Sequence, residues 1–173
     1  MRLFIAVELP NEIIKHFEFL QSKLKTEFAS QTLSRQQHLT LKFLGNLDSA
    51  DEVVELLKKV SFDPFEVSLS KSGVFPDEIY TRVVWVGVEP EKPFVDLQKK
   101  IEDVLFPLNI RNDHPFNPHI TLSRVKFVKD KVQFKKVLQT INPEPVKFRV
   151  DSFKLIKSDL TPSGPIYTVL ASF

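Results

Sequence analysis

The chain has 173 residues, 42% apolar and 27% charged, with a formal net charge of +2 and no cysteine. This suits a soluble globular chain with one packed core, and it removes disulfides, cysteine–zinc sites and thiol nucleophiles together. So small a basic excess neither demands nor excludes a nucleic-acid partner, and suits a small footprint, such as an RNA end, rather than a coated duplex.

The opening Arg2–Glu8 reads as a strand rather than a signal peptide. No apolar run reaches the ~18 residues that span a bilayer. The chain therefore reads as cytoplasmic, with no membrane partner. Pro10 introduces a helical pattern with Ile13, Leu20 and Leu24 apolar, and suits its first turn. His38-Leu-Thr-Leu41 reads as a strand, closed by a turn at Gly45-Asn46. Asp48 or Ser49 can cap a helix over Asp51–Val60. A strand over Phe65–Leu69 follows, then a turn at Phe75-Pro76-Asp77 and a strand over Tyr80–Val88. Pro90 and Pro93 lead into a helix with Phe94, Ile101 and Leu105 apolar. His119-Ile-Thr-Leu122 is the next strand, followed by a helix over Asp130–Thr140. Phe148–Phe153 reads as a strand. Thr161–Pro165 marks a turn before a last strand, Ile166–Phe173.

These elements repeat. Ile5–Glu8 resembles Val86–Glu89 at an offset of 81, the first helices match at the same offset, and the two His-x-Thr motifs are again 81 apart. The strands at Phe65 and Phe148 are 83 apart. The pattern predicts two similar, pseudo-symmetric halves, each strand–helix–strand–helix–strand, the alternative being an unrelated α+β chain with coincidental spacing. The whole chain, 1–173, is then one bilobal domain with halves of about 1–79 and 80–173.

On a strand, residues i and i+2 share a face. His38 and Thr40 should therefore point one way and Leu39 and Leu41 the other, and likewise His119 and Thr121 against Ile120 and Leu122. A pseudo-twofold would bring both polar faces into one cleft between the sheets. Histidine gives or takes a proton near neutrality because its ordinary pKa is about 6.5. A matched pair can serve as base and acid across a phosphorus atom, while threonine hydroxyls donate to phosphate oxygens. A zinc site would need three or four ligands with a carboxylate shell, and neither motif has them at ligand spacing. No nucleophile elbow and no glycine-rich phosphate loop is present, so no metal and no cofactor is expected. His16 in the first helix and His114 in a loop read as non-catalytic. Lys42 should share the face of His38 and Thr40, at the cleft rim or in solvent. Lys126, Lys129, Lys131, Lys135 and Lys136 can attract RNA by charge or form a solvated face. Phe75 and Phe116 are candidates for base stacking or for the core.

The segments His38-Leu-Thr-Leu-Lys-Phe-Leu-Gly45 and Pro115-Phe-Asn-Pro-His-Ile-Thr-Leu-Ser-Arg124 resemble the paired signatures of the two-histidine (2H) phosphoesterases. Within that superfamily they resemble the RNA 2′,3′-cyclic phosphodiesterase branch, also called 2′-5′ RNA ligase or LigT-like. Arg2–Pro10 and Leu160–Tyr167 are similar to that branch too. The segment Leu33–Gln37 departs from it, lacking the aromatic and the Asn-Leu pair often found there. The resemblance implies an α+β fold of two pseudo-symmetric lobes, each an antiparallel sheet with helices on the outside, with the active cleft between the sheets, and metal-independent hydrolysis of a 2′,3′-cyclic phosphate to a 2′-phosphate. It implies catalytic roles for His38 and His119, with His119 as base and His38 as acid, and substrate contacts from Thr40, Thr121 and Arg124. Run backwards, such an exchange reads as 2′-5′ ligation or cleavage. Strand parity puts Arg124 opposite His119, so a twist, a bulge or the strand end must bring it to the cleft. The implied partners are RNA ends or nucleotides bearing 2′,3′-cyclic phosphate, met by a monomer. The rival readings are a non-catalytic RNA-end-binding module, or a phosphodiesterase for a small cyclic-phosphate metabolite.

Overall fold

The computed structural model describes residues 1–110, 114–162 and 164–173. The first strand, β1 (Arg2–Glu8), leads into α1 (Asn11–Leu24), then β2 (Ala29–Leu33), β3 (His38–Asn46) and α2 (Asp51–Leu57). A long β4 (Phe65–Phe75) and β5 (Val83–Glu89) precede α3 (Lys92–Leu105) and a short 3-10 turn, Phe106–Leu108. The chain closes with β6 (His119–Val128), α4 (Lys131–Gln139), β7 (Lys147–Val150), β8 (Lys154–Thr161) and β9 (Gly164–Ser172).

The expected α+β architecture is present. Nine strands among the described residues form an antiparallel array in the order β7-β4-β5-β6-β3-β1-β8-β9, with β2 added to β6. The two histidine strands meet at its centre. There β3 and β6 share one register pair, Leu39↔Ile120, whereas β1 and β3 pair over seven positions. The array therefore parts into two sheets at this narrow seam. The strands of each sheet come from both halves of the chain: β3 and β1 stand beside β8 and β9.

One main core lies between the sheets and the helices. Ile13, Phe17, Leu20 and Leu24 of α1, and Phe94, Leu97, Ile101 and Leu105 of α3, are all buried in it. Their spacing of three and four residues is the apolar stripe of an amphipathic helix, and each such side chain contributes on the order of 1.5–3 kcal/mol by burial. The β1 run is apolar throughout because it is covered on both sides. Leu3, Ile5 and Val7 enter the main core, and Phe4 and Ala6 pack with Ile156 and Tyr167 on the other face.

Local chemistry explains the departures from expectation. Pro10 precedes α1 as its N-cap instead of entering the first turn, whereas Pro93 does sit in the first turn of α3. The residue before α2 is Ala50, and the Ser49 hydroxyl accepts from the Asp51 amide at 3.1 Å. That helix ends at Leu57, short of Val60. Asp130 caps α4 by accepting from the Gln133 amide at 3.0 Å. Two strands are additional to those predicted, β2 and β8. Ala29-Ser-Gln-Thr-Leu33 lacks apolar alternation because only Ala29 is buried. In β8, Leu155 and Ile156 are both buried and charged residues flank them, which hides a period of two. The turn at Thr161–Pro165 is a hairpin in which Gly164 has φ +120°, a conformation that glycine adopts at no steric cost. Its Ser163 lies outside the described residues.

Candidate active site

Both histidine strands follow the expected alternation at first. Leu39 and Leu41 are 0% and 2% exposed, Ile120 and Leu122 both 0%, while His38, Thr40, His119 and Thr121 are half-buried. Beyond the threonines each strand carries a bulge, in which an extra residue disturbs the register and flips the side chains that follow. In β3, Ile5 pairs with Lys42 but Ala6 with Thr40, so Leu41 is the extra residue. In β6, Val84 pairs with Ser123 but Trp85 with Thr121, so Leu122 is extra. The two bulges are 81 residues apart, the same offset as the histidines.

The bulges decide which side chains reach the cleft. Arg124 moves to the face of His119 and Thr121, which settles the conflict with strand parity, and it lines the same cavity. Lys42 moves the other way. It is 3% exposed and donates to a Glu102 carboxylate oxygen at 2.8 Å and to the Ile110 carbonyl at 3.1 Å. The expected rim or solvated position for Lys42 is therefore corrected, and Phe43 takes the cleft face in its place.

Buried polar groups brace both bulges from behind. Gln21 of α1 donates to the carbonyl of the bulged Leu122 at 2.8 Å and to that of Ser34 at 2.7 Å. Gln37, next to His38, donates to the Gln21 side-chain oxygen at 3.2 Å and to the Ser34 carbonyl at 2.8 Å. On the other helix, Glu102 receives both Lys42 and Gln98, each from a nitrogen within 2.8 Å. Nothing in the composition or motifs marks these residues. Their signal is a polar residue on a helix face otherwise buried, visible only once that face is known.

A cavity of about 480 Å³ brings together His38, Thr40, His119, Thr121 and Arg124, all five of the candidate site residues. Segment 32–37, Phe43, Val83 and the hairpin residues Gly164–Tyr167 also line it. A more open depression of about 710 Å³ beside β4 and segment 141–145 contains no histidine.

The two imidazoles are held alike. His38 Nδ1 lies 2.8 Å from the Gln36 carbonyl, and His119 Nδ1 lies 2.7 Å from the Asn117 carbonyl. A carbonyl can only accept, so each Nδ1 carries the proton and each Nε2 is left to face the cavity. Aromatic rings fix the planes. Phe4 and Tyr167 flank His38 at 4.9 and 5.3 Å, and Phe75 and Trp85 flank His119 at 5.0 and 6.3 Å between centroids. Phe75 thus packs against a histidine and stacks on Trp85, while Phe116 packs on the core. Burial pushes both imidazoles below the ordinary histidine pKa, the backbone hydrogen bonds oppose this, and the Arg124 cation lowers both further. Both rings thus stay neutral to lower pH than an ordinary imidazole does.

The remaining candidates separate from the site. His16 accepts from the Glu144 amide at 3.0 Å, tying α1 to the α4–β7 connection. His114 is exposed and does not line the cavity. Among the described residues no three His, Cys, Asp or Glu side chains converge as metal ligands do. No helix of the described residues is long and apolar enough to cross a membrane.

The profile of the 2′-5′ RNA ligase superfamily matches residues 9–162. A Methanocaldococcus jannaschii protein named RNA 2′,3′-cyclic phosphodiesterase is 33% identical over 172 residues, covering 98% of each chain. A Thermotoga maritima protein of the same name is 35% identical, covering 98% of this chain and 93% of its own. Among solved structures, a Thermus thermophilus protein superposes with a TM-score of 0.82 at 31% identity, over 100% of this chain and 97% of the other. Escherichia coli LigT complexed with 3′-AMP gives 0.77 at 25% identity, over 99% and 96%.

Proposed function

The chain belongs to the 2′-5′ RNA ligase superfamily, the two-histidine phosphoesterases, and from that premise we propose that it hydrolyses 2′,3′-cyclic phosphates at RNA ends to 2′-phosphates. The observation that carries this reading is the pair of imidazoles lining one cavity, each with Nδ1 bound to a backbone carbonyl and with no hydrogen bond to Nε2 among the described residues. A protein that only held RNA ends would have no use for two rings fixed in the same tautomer.

Water attacks phosphorus in line with the ribose O3′. Neutral His119 takes the water proton at Nε2 as the new P–O bond forms. His38, protonated in the productive state, gives its Nε2 proton to O3′ as the P–O3′ bond breaks. The phosphate stays on O2′, and proton exchange with solvent restores both rings. The negative phosphodiester favours the protonated form of His38 on binding, which offsets the burial that depresses it in the free protein. Thr40 and Thr121 donate to the non-bridging oxygens, and Arg124 neutralises their charge. Acid–base help of this kind contributes about 10²–10⁴-fold per group. A 5′-hydroxyl attacking in place of water would make a 2′-5′ linkage by the same steps.

The reaction is written without a metal because the residues around the cavity supply acid, base and charge neutralisation themselves. Turnover of a nucleoside 2′,3′-cyclic phosphate should be undiminished in excess chelator. Loss of activity that zinc or magnesium restores would overturn the mechanism.

A further inference from the structure

The row of side chains on the cleft face of β6 does not stop at Arg124. Directly opposed residues in an antiparallel pair share a face. Thr32 and Val83 both line the cavity, and both lie opposite Arg124. Ser30 is two residues from Thr32, hence on the same face, and it lies opposite Phe127. A second bulge makes this so: Gln31 pairs with Val125 and Ser30 with Phe127, leaving Lys126 as the extra residue. His119, Thr121, Arg124 and Phe127 therefore form one line. From Arg124 to Phe127 is two ladder steps along β2, about 7 Å.

Phe127 is 54% exposed. Cations flank it in sequence and across the β5 pairing. Lys126 and Lys129 are exposed, and the exposed Arg82 donates to the Lys126 carbonyl. The other histidine strand also has a second bulge, at Leu44, and an exposed Phe43 on the cavity wall, but at the offset of 81 it carries Asn46 where β6 has Phe127 and Asp48 where the chain after β6 has Lys129. The feature is one-sided, as a binding track for a polar strand must be.

We propose that β6 beyond Arg124 is the track for single-stranded RNA 5′ of the cyclic phosphate, with Phe127 as a base-stacking platform and Lys126, Lys129 and Arg82 facing the backbone phosphates. This rests on the cyclic-phosphate reading of the cleft. Exposed aromatics stack on any base and adjacent cations track the backbone, the combination that single-stranded nucleic acid requires. The track runs continuously from the cavity, so one RNA chain can occupy both.

The test compares a nucleoside 2′,3′-cyclic monophosphate with a six-nucleotide single-stranded RNA ending in 2′,3′-cyclic phosphate. The unaltered protein should show the higher kcat/KM on the oligonucleotide. Phe127→Leu keeps an apolar side chain but removes the ring. It should lower kcat/KM on the oligonucleotide roughly tenfold, as expected for one lost stack, and leave the mononucleotide within about twofold. Phe127→Tyr should retain the preference. Lys126→Glu should flatten the dependence of log kcat/KM on log salt for the oligonucleotide alone. An unchanged oligonucleotide-to-mononucleotide ratio in Phe127→Leu, or no preference in the unaltered protein, would overturn the track and leave the cleft reading standing. A protein that turned over neither substrate would overturn the activity itself, and the track with it.

Discussion

His38 and His119 each commit Nδ1 to a carbonyl two residues back, so proton exchange with a substrate is confined to Nε2. The proposed division of labour makes the two rings interdependent. His38→Ala or His119→Ala should each remove most turnover of a 2′,3′-cyclic nucleotide, and the double variant should be little worse than either, since acid and base act in one step. Thr40→Ala or Thr121→Ala should cost less, about 1.5–3 kcal/mol for one hydrogen bond to a charged group. The pH dependence has a definite sign. The productive form has one ring neutral and one protonated, and burial together with Arg124 holds both rings below the ordinary value. The bell of kcat/KM against pH should therefore centre on the acid side of 6.5. Arg124→Ala removes a cation that lowers both rings, so it should reduce kcat/KM and move both limbs to higher pH. A shift to lower pH would contradict the electrostatic role given to Arg124. At this scale the motif residues were legible, because alternation over His-x-Thr needs only four consecutive positions. The approach of Arg124 was not. A bulge is a property of pairing with a neighbouring strand, and no local sequence signal announces it.

At the scale of elements, the bulges and their braces tie helix to strand. Gln21 is the link between α1, the bulged Leu122 carbonyl and the segment before His38. Gln21→Met would remove this donor from two carbonyls, at a cost of about 0.5–1.5 kcal/mol each, because the Ser34 carbonyl keeps Gln37 and the Leu122 carbonyl keeps the Ser34 amide. It should also loosen Arg124, so adding Arg124→Ala to Gln21→Met should reduce kcat/KM far less than it does in the unaltered protein. Full additivity in that double-mutant cycle would reduce Gln21 to a purely structural residue. Gly73 gives a second test. A Cβ there would lie 2.2 Å from the Trp85 ring, and that ring flanks His119. Gly73→Ala should lower stability by about 1–3 kcal/mol, as overpacking does, and should shift the fluorescence of Trp85, the single tryptophan of the chain. An unshifted spectrum would contradict the tight contact. The apolar helices and the central strands could be read directly, since their stripes face one continuous core. The strands β2 and β8 could not, because the first buries one residue and the second mixes buried pairs with charge.

Across the whole molecule, the strand order mirrors itself about the β3–β6 seam, with β1 and β5 next to the histidine strands and β8 and β4 outside them. We propose from this order that the halves near 1–79 and 80–173 are duplicates, with β8 rather than β7 as the mirror of β4, which corrects the match of the Phe65 and Phe148 strands. The sequence offset gave no hint that the halves exchange strands, because strand pairing is not encoded in period. Since each sheet draws on both halves and most of the buried residues fall in one cluster, neither half has a complete sheet of its own. Residues 1–79 alone should therefore fail to give a cooperative thermal transition, while the full chain unfolds in one step by circular dichroism. A stable isolated half would contradict the shared core. The central claim is chemical, and it concerns which bond the two histidines break. The most direct measurement is the 31P NMR spectrum of the product formed from a nucleoside 2′,3′-cyclic phosphate in excess chelator. A single 2′-phosphate is expected, formed by the unaltered protein and not by the variant lacking both histidines. A 3′-phosphate product, or the same product from the variant lacking both histidines, would contradict it.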